Sequence, residues 1–260
     1  MKITTLVENT CSAGLPTEHG LSLFIEANGV RVLYDTGETE LFAENAEKLG
    51  VDLSTADFCF LSHGHHDHGG GLKRFTELND RAKIYMARGA FGLYYNMAGK
   101  YIGLNRSWLD DPAVQERIVY TDGELRLAEG ITILPPGPKK RVDMGNAGMS
   151  YREGGRSFPE VFRHEQYLLI EEGDKRVLIS GCSHQGIINI MDWFKPDVMI
   201  GGFHFMNMAL DDRLLEFGRA LDAYGAEYYT CHCTGEAQYE CLRKVMKRLH
   251  YLAEGDVLEI

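Results

Sequence analysis

Apolar and polar residues alternate through the N-terminal MKITTLVENT, which therefore begins a strand. Residues 21–35, LSLFIEANGVRVLYD, form two β-rich runs joined at Asn28-Gly29, the pair that best tolerates the left-handed backbone of a two-residue hairpin turn. The chain thus opens as antiparallel sheet. Beyond Asp35-Thr36-Gly37 the spacing changes: Leu41, Phe42, Ala46 and Leu49 recur at helical intervals and the run ends in glycine, which predicts an amphipathic helix with a C-terminal cap.

A buried-looking run, Phe58-Cys-Phe-Leu61, stops at Ser62 and gives way to an irregular loop, SHGHHDHGGGL. The second half of the chain repeats this rhythm. RVLISG (176–181) hands over to CSHQG, VMIGG (198–202) to FHF, and AEYYT (226–230) to CHCTG. Helices are expected at about 186–195, 211–224 and 235–252. The last carries Ala237, Cys241, Leu242, Val245, Leu249 and Leu252 on one face and leaves His250 on its polar side. Strand, loop and helix in succession make an α/β chain of packed layers. Residues 137–163 break the pattern with glycine and a local excess of Lys and Arg. They read as a lid or insertion within one domain spanning 1–260.

Composition narrows the partners more than the fold. Apolar residues at 44% and charged residues at 25% are ordinary for a chain that folds by itself. The formal net charge of -11 opposes nucleic acid and anionic membrane surfaces and favours a small-molecule partner. The six cysteines show no framework spacing and no secretory leader precedes them, so reduced thiols in the cytoplasm are expected. No apolar run reaches membrane-spanning length.

The chemistry is concentrated in six residues. His63, His65, Asp67 and His68 offer three imidazoles and a carboxylate, a density of metal donors that a surface loop has little reason to accumulate. Gly64 lets His63 and His65 converge on one ion, while Asp67 and His68 point to a second position. Neither coordination sphere is complete, so further donors must come from distant strand ends, where His184, His204 and His232 stand as candidates.

The segment SHGHHDHGGG resembles the histidine-rich signature of the metallo-β-lactamase superfamily, and the likeness extends to VLYDTG at 32–37. TEHGLSLFIE (17–26), LISGCSHQGI (179–187), GGFHF (201–205) and HCTG (232–235) are similar to the branch of dihydropterin-methyl ribofuranosyl-aminobenzene phosphate synthases. The resemblance implies an αβ/βα sandwich, two mixed β-sheets flanked by helices. It also implies one metal on His63 and His65 and another on Asp67 and His68, with His232 completing the second site. The superfamily's bridging aspartate follows a glycine at a strand end, but here Cys182 follows Gly181. That departure leaves one ligand open: His184 is preferred, Cys182 as a bridging thiolate is the rival, and His164, which precedes a strand, is the third choice.

Two divalent ions about 3.5–4 Å apart, zinc in the first instance but manganese or iron equally suited to these donors, would share a hydroxide whose parent water has its pKa lowered from 15.7 to about 7. Asp67 and that nucleophile form the catalytic centre, and His204 would donate a proton or contact substrate oxygen. The ions' residual positive charge calls for an anionic substrate. Lys139, Lys140, Arg141, Arg152, Arg156 and Arg163 gather charge near the insertion, with Arg141, Arg152 and Arg156 the chosen phosphate contacts; the alternative is a solvated loop. His19 is a further substrate contact, Asp35 is placed to orient a ligating histidine, and Phe91, Tyr94, Tyr95, Tyr101 and Trp108 offer either a flat wall for an aromatic substrate or plain core. The favoured function is hydrolysis of a small phosphorylated substrate. A synthase joining a dihydropterin methyl group to an aminobenzene riboside phosphate and a non-catalytic metal sensor are the alternatives.

Overall fold

The alternating and continuous apolar runs build two seven-stranded sheets. These are seen in a computed structural model that describes residues 1–138, 142 and 148–260. In the first sheet the order is Val257–Glu259, Lys2–Val7, Ser22–Ala27, Val30–Tyr34, Phe58–Phe60, Lys83–Ala87 and Ile118–Thr121. Pairing is antiparallel up to Val30–Tyr34 and parallel beyond it. The second sheet runs Leu249–Tyr251, Glu227–Thr230, Val198–Gly201, Lys175–Ser180, Tyr167–Glu172, Ile131–Leu134 and Leu125–Ala128, parallel over its first four strands and antiparallel over the rest. Both sheets are mixed, as the resemblance implied.

The period of two decides the layering. Ile25, Val32, Tyr34 and Phe60 of one sheet meet Ile133, Leu168, Ile170, Val177, Ile179 and Ile200 of the other in a central core. Their neighbours Phe24, Leu33 and Cys59 face outward against Phe42 and Phe75 of the helices Leu41–Lys48 and Leu72–Leu78. Leu169, Leu178 and Met199 likewise pack against Ile190, Leu214 and Leu242 of the helices Ile187–Phe194, Asp212–Asp222 and Glu236–Leu242. Sheets covered on both faces explain why several of their strands read as unbroken apolar runs.

The Asn28-Gly29 turn takes φ of 50° and 76°, as a two-residue hairpin requires. The expected helix over 235–252 does not persist: it ends at Leu242, and Leu249–Tyr251 is an edge strand parallel to Glu227–Thr230. Leu249 and Leu252 are buried on either side of exposed His250. In so short a window helical and strand spacing coincide, and the unpaired edge of the sheet decides the outcome. His250 accordingly sits on that strand, 3.0 Å from Glu227.

Within 137–163 the described residues form a hairpin, Ser150–Glu153 with Arg156–Pro159, and its first strand also pairs with Leu93–Tyr95. Arg141, Lys139 and Lys140 lie outside the described residues. Among the described residues, no helix is long and apolar enough to cross a membrane.

Candidate metal centre

Parallel strands end on one side of a sheet, and the two sheets bring those ends to a common edge. Val30–Tyr34 delivers Asp35, Phe58–Phe60 delivers the loop from Ser62 to His68, Lys175–Ser180 delivers Cys182 and His184, Val198–Gly201 delivers His204, and Glu227–Thr230 delivers His232. Several of these residues hold a left-handed backbone that side chains ordinarily avoid: φ is 54° at Asp35, 55° at Ser183, 58° at His204 and 48° at His232. Strain gathered at one edge is a mark of a working site.

His63 stands at the middle of the first group. Its Nε2 lies 3.1 Å from His65 Nδ1 and 3.3 Å from His184 Nε2. Its other nitrogen, Nδ1, is 2.9 Å from Ser62 Oγ, and that hydroxyl donates to Asp35 Oδ2 at 2.7 Å. The Ser62 oxygen therefore accepts from His63 Nδ1–H, which leaves a lone pair on Nε2.

The second group repeats the arrangement. His68 Nδ1 is 2.7 Å from Asp35 Oδ2, and His232 Nδ1 is 2.9 Å from Asn9 Oδ1. Both acceptors fix the proton on Nδ1, yet the two Nε2 atoms face each other at 3.3 Å. Asp67 Oδ2 lies 3.4 Å from His232 Nε2 and 3.8 Å from His68 Nε2. Cys182 Sγ is 3.2 Å from His68 Nε2 and belongs to two potential donor sets, with His63 and His184 and with His68 and His232. Between neutral rings the buried His68 Nε2 and His232 Nε2 present lone pairs to each other, a contact that no hydrogen bond between them satisfies. Among the described residues, three groups of side chains here have donors close enough to hold a metal ion: His63, Cys182 and His184; His68, Cys182 and His232; and His19, Asp67 and His232.

Burial holds four of the rings neutral, while at His68 the carboxylates of Asp67 and Asp35 outweigh burial and raise the imidazole's pKa. Burial drives His63 and His184 well below the ordinary imidazole range, His65 to about 3 and His232 to about 4, with neighbouring imidazoles adding to the effect. Burial alone would raise Asp67, but His68, His19 and His232 outweigh it and keep the carboxylate ionised. Neutral imidazole and charged carboxylate are the forms that bind metal.

The other expected residues fall around this centre. His204 packs against His184 with the two rings tilted and their centroids 4.4 Å apart. His19 Nε2 is 3.4 Å from Asp67 Oδ2 and its ring lies 4.7 Å from that of His232. His164 is close, 5.5 Å from His65 between ring centroids, but its Nδ1 accepts the Gly64 N–H at 2.9 Å, so it stands outside the converging donors. Arg152 lays its guanidinium over Tyr95 at 4.1 Å, and Arg156 is exposed on the hairpin opposite Glu153. Phe91, Tyr94 and Trp108 are buried, whereas Tyr95 and Tyr101 are half-buried.

The sequence reading missed the residues that brace the centre. Glu8 accepts the His232 N–H at 2.5 Å, Asn9 orients the His232 ring, and Glu165 accepts the backbone N–H groups of His184 and Gln185 at 2.6 and 2.9 Å. Only their polarity beside apolar strands hinted at them.

A family model described as Metallo-beta-lactamase superfamily matches residues 15–224. An uncharacterized protein of Methanocaldococcus jannaschii is 28% identical over 99% of this chain and 98% of its own length. The same organism's 7,8-dihydropterin-6-methyl-4-(beta-D-ribofuranosyl)-aminobenzene-5'-phosphate synthase is 29% identical over 90% of this chain and 88% of its own. The crystal structure of Tm1679, a metal-dependent hydrolase of the beta-lactamase superfamily, superposes with a TM-score of 0.85 at 26% identity, covering 100% of this chain and 99% of that one.

Proposed function

This chain belongs to the metallo-beta-lactamase superfamily, and from that premise we propose that it is an enzyme that holds two divalent metal ions, zinc in the first instance, and hydrolyses a small anionic, phosphorylated substrate. The observation that carries the reading is the opposition of His68 Nε2 and His232 Nε2 at 3.3 Å, each ring locked by an acceptor on its far side. Cations bound there would lower the pKa of a water between them from 15.7 to about 7 and so supply a nucleophile at neutral pH.

The chain's own residues set the conditions. Asp35 and Asn9 hold His68 and His232 in the donor tautomer, and Ser62 passes the same constraint to His63. Asp67 contributes a negative charge and Cys182 a second when ionised, fewer than two divalent ions bring, so the centre attracts an anion. His19, beside Asp67 and partly exposed, is the side chain we assign to substrate contact. His204, pushed to about 4 by burial, is neutral and able to accept or orient a proton at a leaving group.

The test is hydrolysis of a panel of phosphate monoesters and diesters by protein stripped with chelator and reloaded with zinc, manganese or iron. Activity that vanishes and returns with metal is expected; full activity without metal defeats the reading. A second reading, carbon–nitrogen or carbon–carbon joining by a synthase, is favoured by the 29% identical relative. It is tested by mass spectrometry for a pterin-aminobenzene conjugate formed from the two halves.

A further inference from the structure

A single amide side chain stands between two of the histidines at the candidate metal centre. Asn9 follows the strand Lys2–Val7, and backbone groups on either side settle which end of its amide is which. Gly20 N–H donates to Oδ1 at 3.3 Å, and Nδ2 donates to the His232 carbonyl at 3.5 Å. Oδ1 also accepts from His232 Nδ1 at 2.9 Å, whereas Nδ2 is 3.3 Å from His19 Nδ1. An amide nitrogen only donates, so His19 Nδ1 accepts and the neutral His19 ring carries its proton on Nε2. That nitrogen faces Asp67 Oδ2 at 3.4 Å, and the same carboxylate oxygen lies 3.4 Å from His232 Nε2. Asn9 thus gives the two histidines opposite tautomers: His232 turns a lone pair toward the centre, and His19 turns an N–H.

His19, Asp67 and His232 lie close enough to hold an ion among them, but such an ion would need the His19 Nε2 lone pair that Asn9 takes away. We propose that His19 is a hydrogen-bond donor set by Asn9 and not a metal ligand, and that its Nε2–H, directed at Asp67 Oδ2 in the metal-free protein, serves a phosphate oxygen of the substrate. The His19 side chain is 47% exposed while those of Asp67 and His232 are 13% and 1% exposed, so of the three it is the one that a ligand meets from solvent. An N–H offered to an anionic oxygen is a charge-assisted bond, the stronger kind. The loop that carries His19 is held against Asp67: Leu21 N–H donates to the Asp67 carbonyl at 3.2 Å, and a Cβ on Gly20 would stand 2.7 Å from that same oxygen. The donor is therefore fixed beside Asp67 before any ligand arrives. Asn9 is a positioning residue that acts through both rings. The substrate contact rests on the hydrolytic reading; the place of the His19 proton does not.

The experiment is NMR of protein isotope-labelled in its histidine nitrogens, metal-free and zinc-loaded, at mildly alkaline pH where imidazole is neutral, joined to titration of the zinc-loaded protein with inorganic phosphate. His19 is expected to show a protonated Nε2 and a bare Nδ1 in both forms. Asn9→Asp replaces the amide donor by an acceptor yet keeps an acceptor for His232, so it should leave His19 Nδ1 protonated with no change in the His232 tautomer. His19→Ala should hold zinc affinity within about twofold and weaken phosphate binding about tenfold, the loss of one charge-assisted hydrogen bond. If Asn9→Asp does not fold, the wild-type spectra and His19→Ala decide. A proton on His19 Nδ1 in the wild type, zinc bound at its Nε2, or a fall in zinc affinity of about tenfold or more in His19→Ala, as loss of a ligand would give, overturns the donor assignment. Phosphate binding that is absent from the wild type, or the same in His19→Ala, overturns the substrate contact. Phosphate binding that needs His19 in a protein that hydrolyses no ester upholds the inference and removes the hydrolytic reading instead.

Discussion

Asp35 Oδ2 holds His68 Nδ1 at 2.7 Å while also accepting from Ser62, so one buried carboxylate orients a histidine in each of the two donor groups. Its position at a strand end with φ of 54° is what lets the side chain reach both. Asp35→Asn should lower metal affinity by about 10–100-fold, because the amide places a donor where an acceptor is required. Competition against a chromophoric chelator measures this; unchanged affinity would mean that Asp35 serves the fold alone.

Cys182 gives the second prediction. Cobalt-substituted protein should show a near-ultraviolet thiolate-to-metal charge-transfer band, and Cys182→Ser should abolish it while retaining some cobalt on the imidazoles. A band that survives the substitution assigns the thiolate elsewhere, and Cys233, which donates to the Cys182 carbonyl, is then the one to replace.

Gly64 separates the first two histidines of the loop. A methyl group there would collide with the Ala90 backbone carbonyl, and backbone cannot swing aside as a side chain can. Gly64→Ala is therefore expected to cost about 2–3 kcal/mol of stability through overpacking and to displace the His164 hydrogen bond. Denaturant unfolding of the metal-free protein would show it as a lower midpoint at unchanged slope.

Glu254 makes stability depend on pH. Burial raises its pKa to about 7, and the charge of Glu8 adds to the rise even though the Glu8 N–H opposes it. Between the unfolded value of 4.5 and about 7, the folded state holds more protons than the unfolded state, so stability from this group falls as pH rises through that window. Glu254→Gln should therefore melt higher than wild type at pH 8 and lose that advantage at pH 5. A melting difference that does not vary with pH would contradict the assignment.

Much of this was legible in the chain, and for definite reasons. The hairpin at Asn28-Gly29 and the strand ends preceding His63, Cys182, His204 and His232 follow from turn chemistry and from apolar runs that stop abruptly. Leu249–Tyr251 was misread as helix because the choice depended on a sheet edge made by residues Glu227–Thr230. Glu8, Asn9 and Glu165 were invisible because their worth lies in contacts to His232 and His184 from distant parts of the chain.

The split of donors between the sheets has an outcome for folding. Residues His63 to His68 follow a strand of the first sheet, and Cys182, His184 and His232 follow strands of the second. On the proposed two-ion reading neither half-chain would supply all the donors, so tight uptake would await docking of the two layers across their shared core. Ion capture would thus be the last event of maturation, and ion release would loosen the sandwich at the edge where catalysis is proposed.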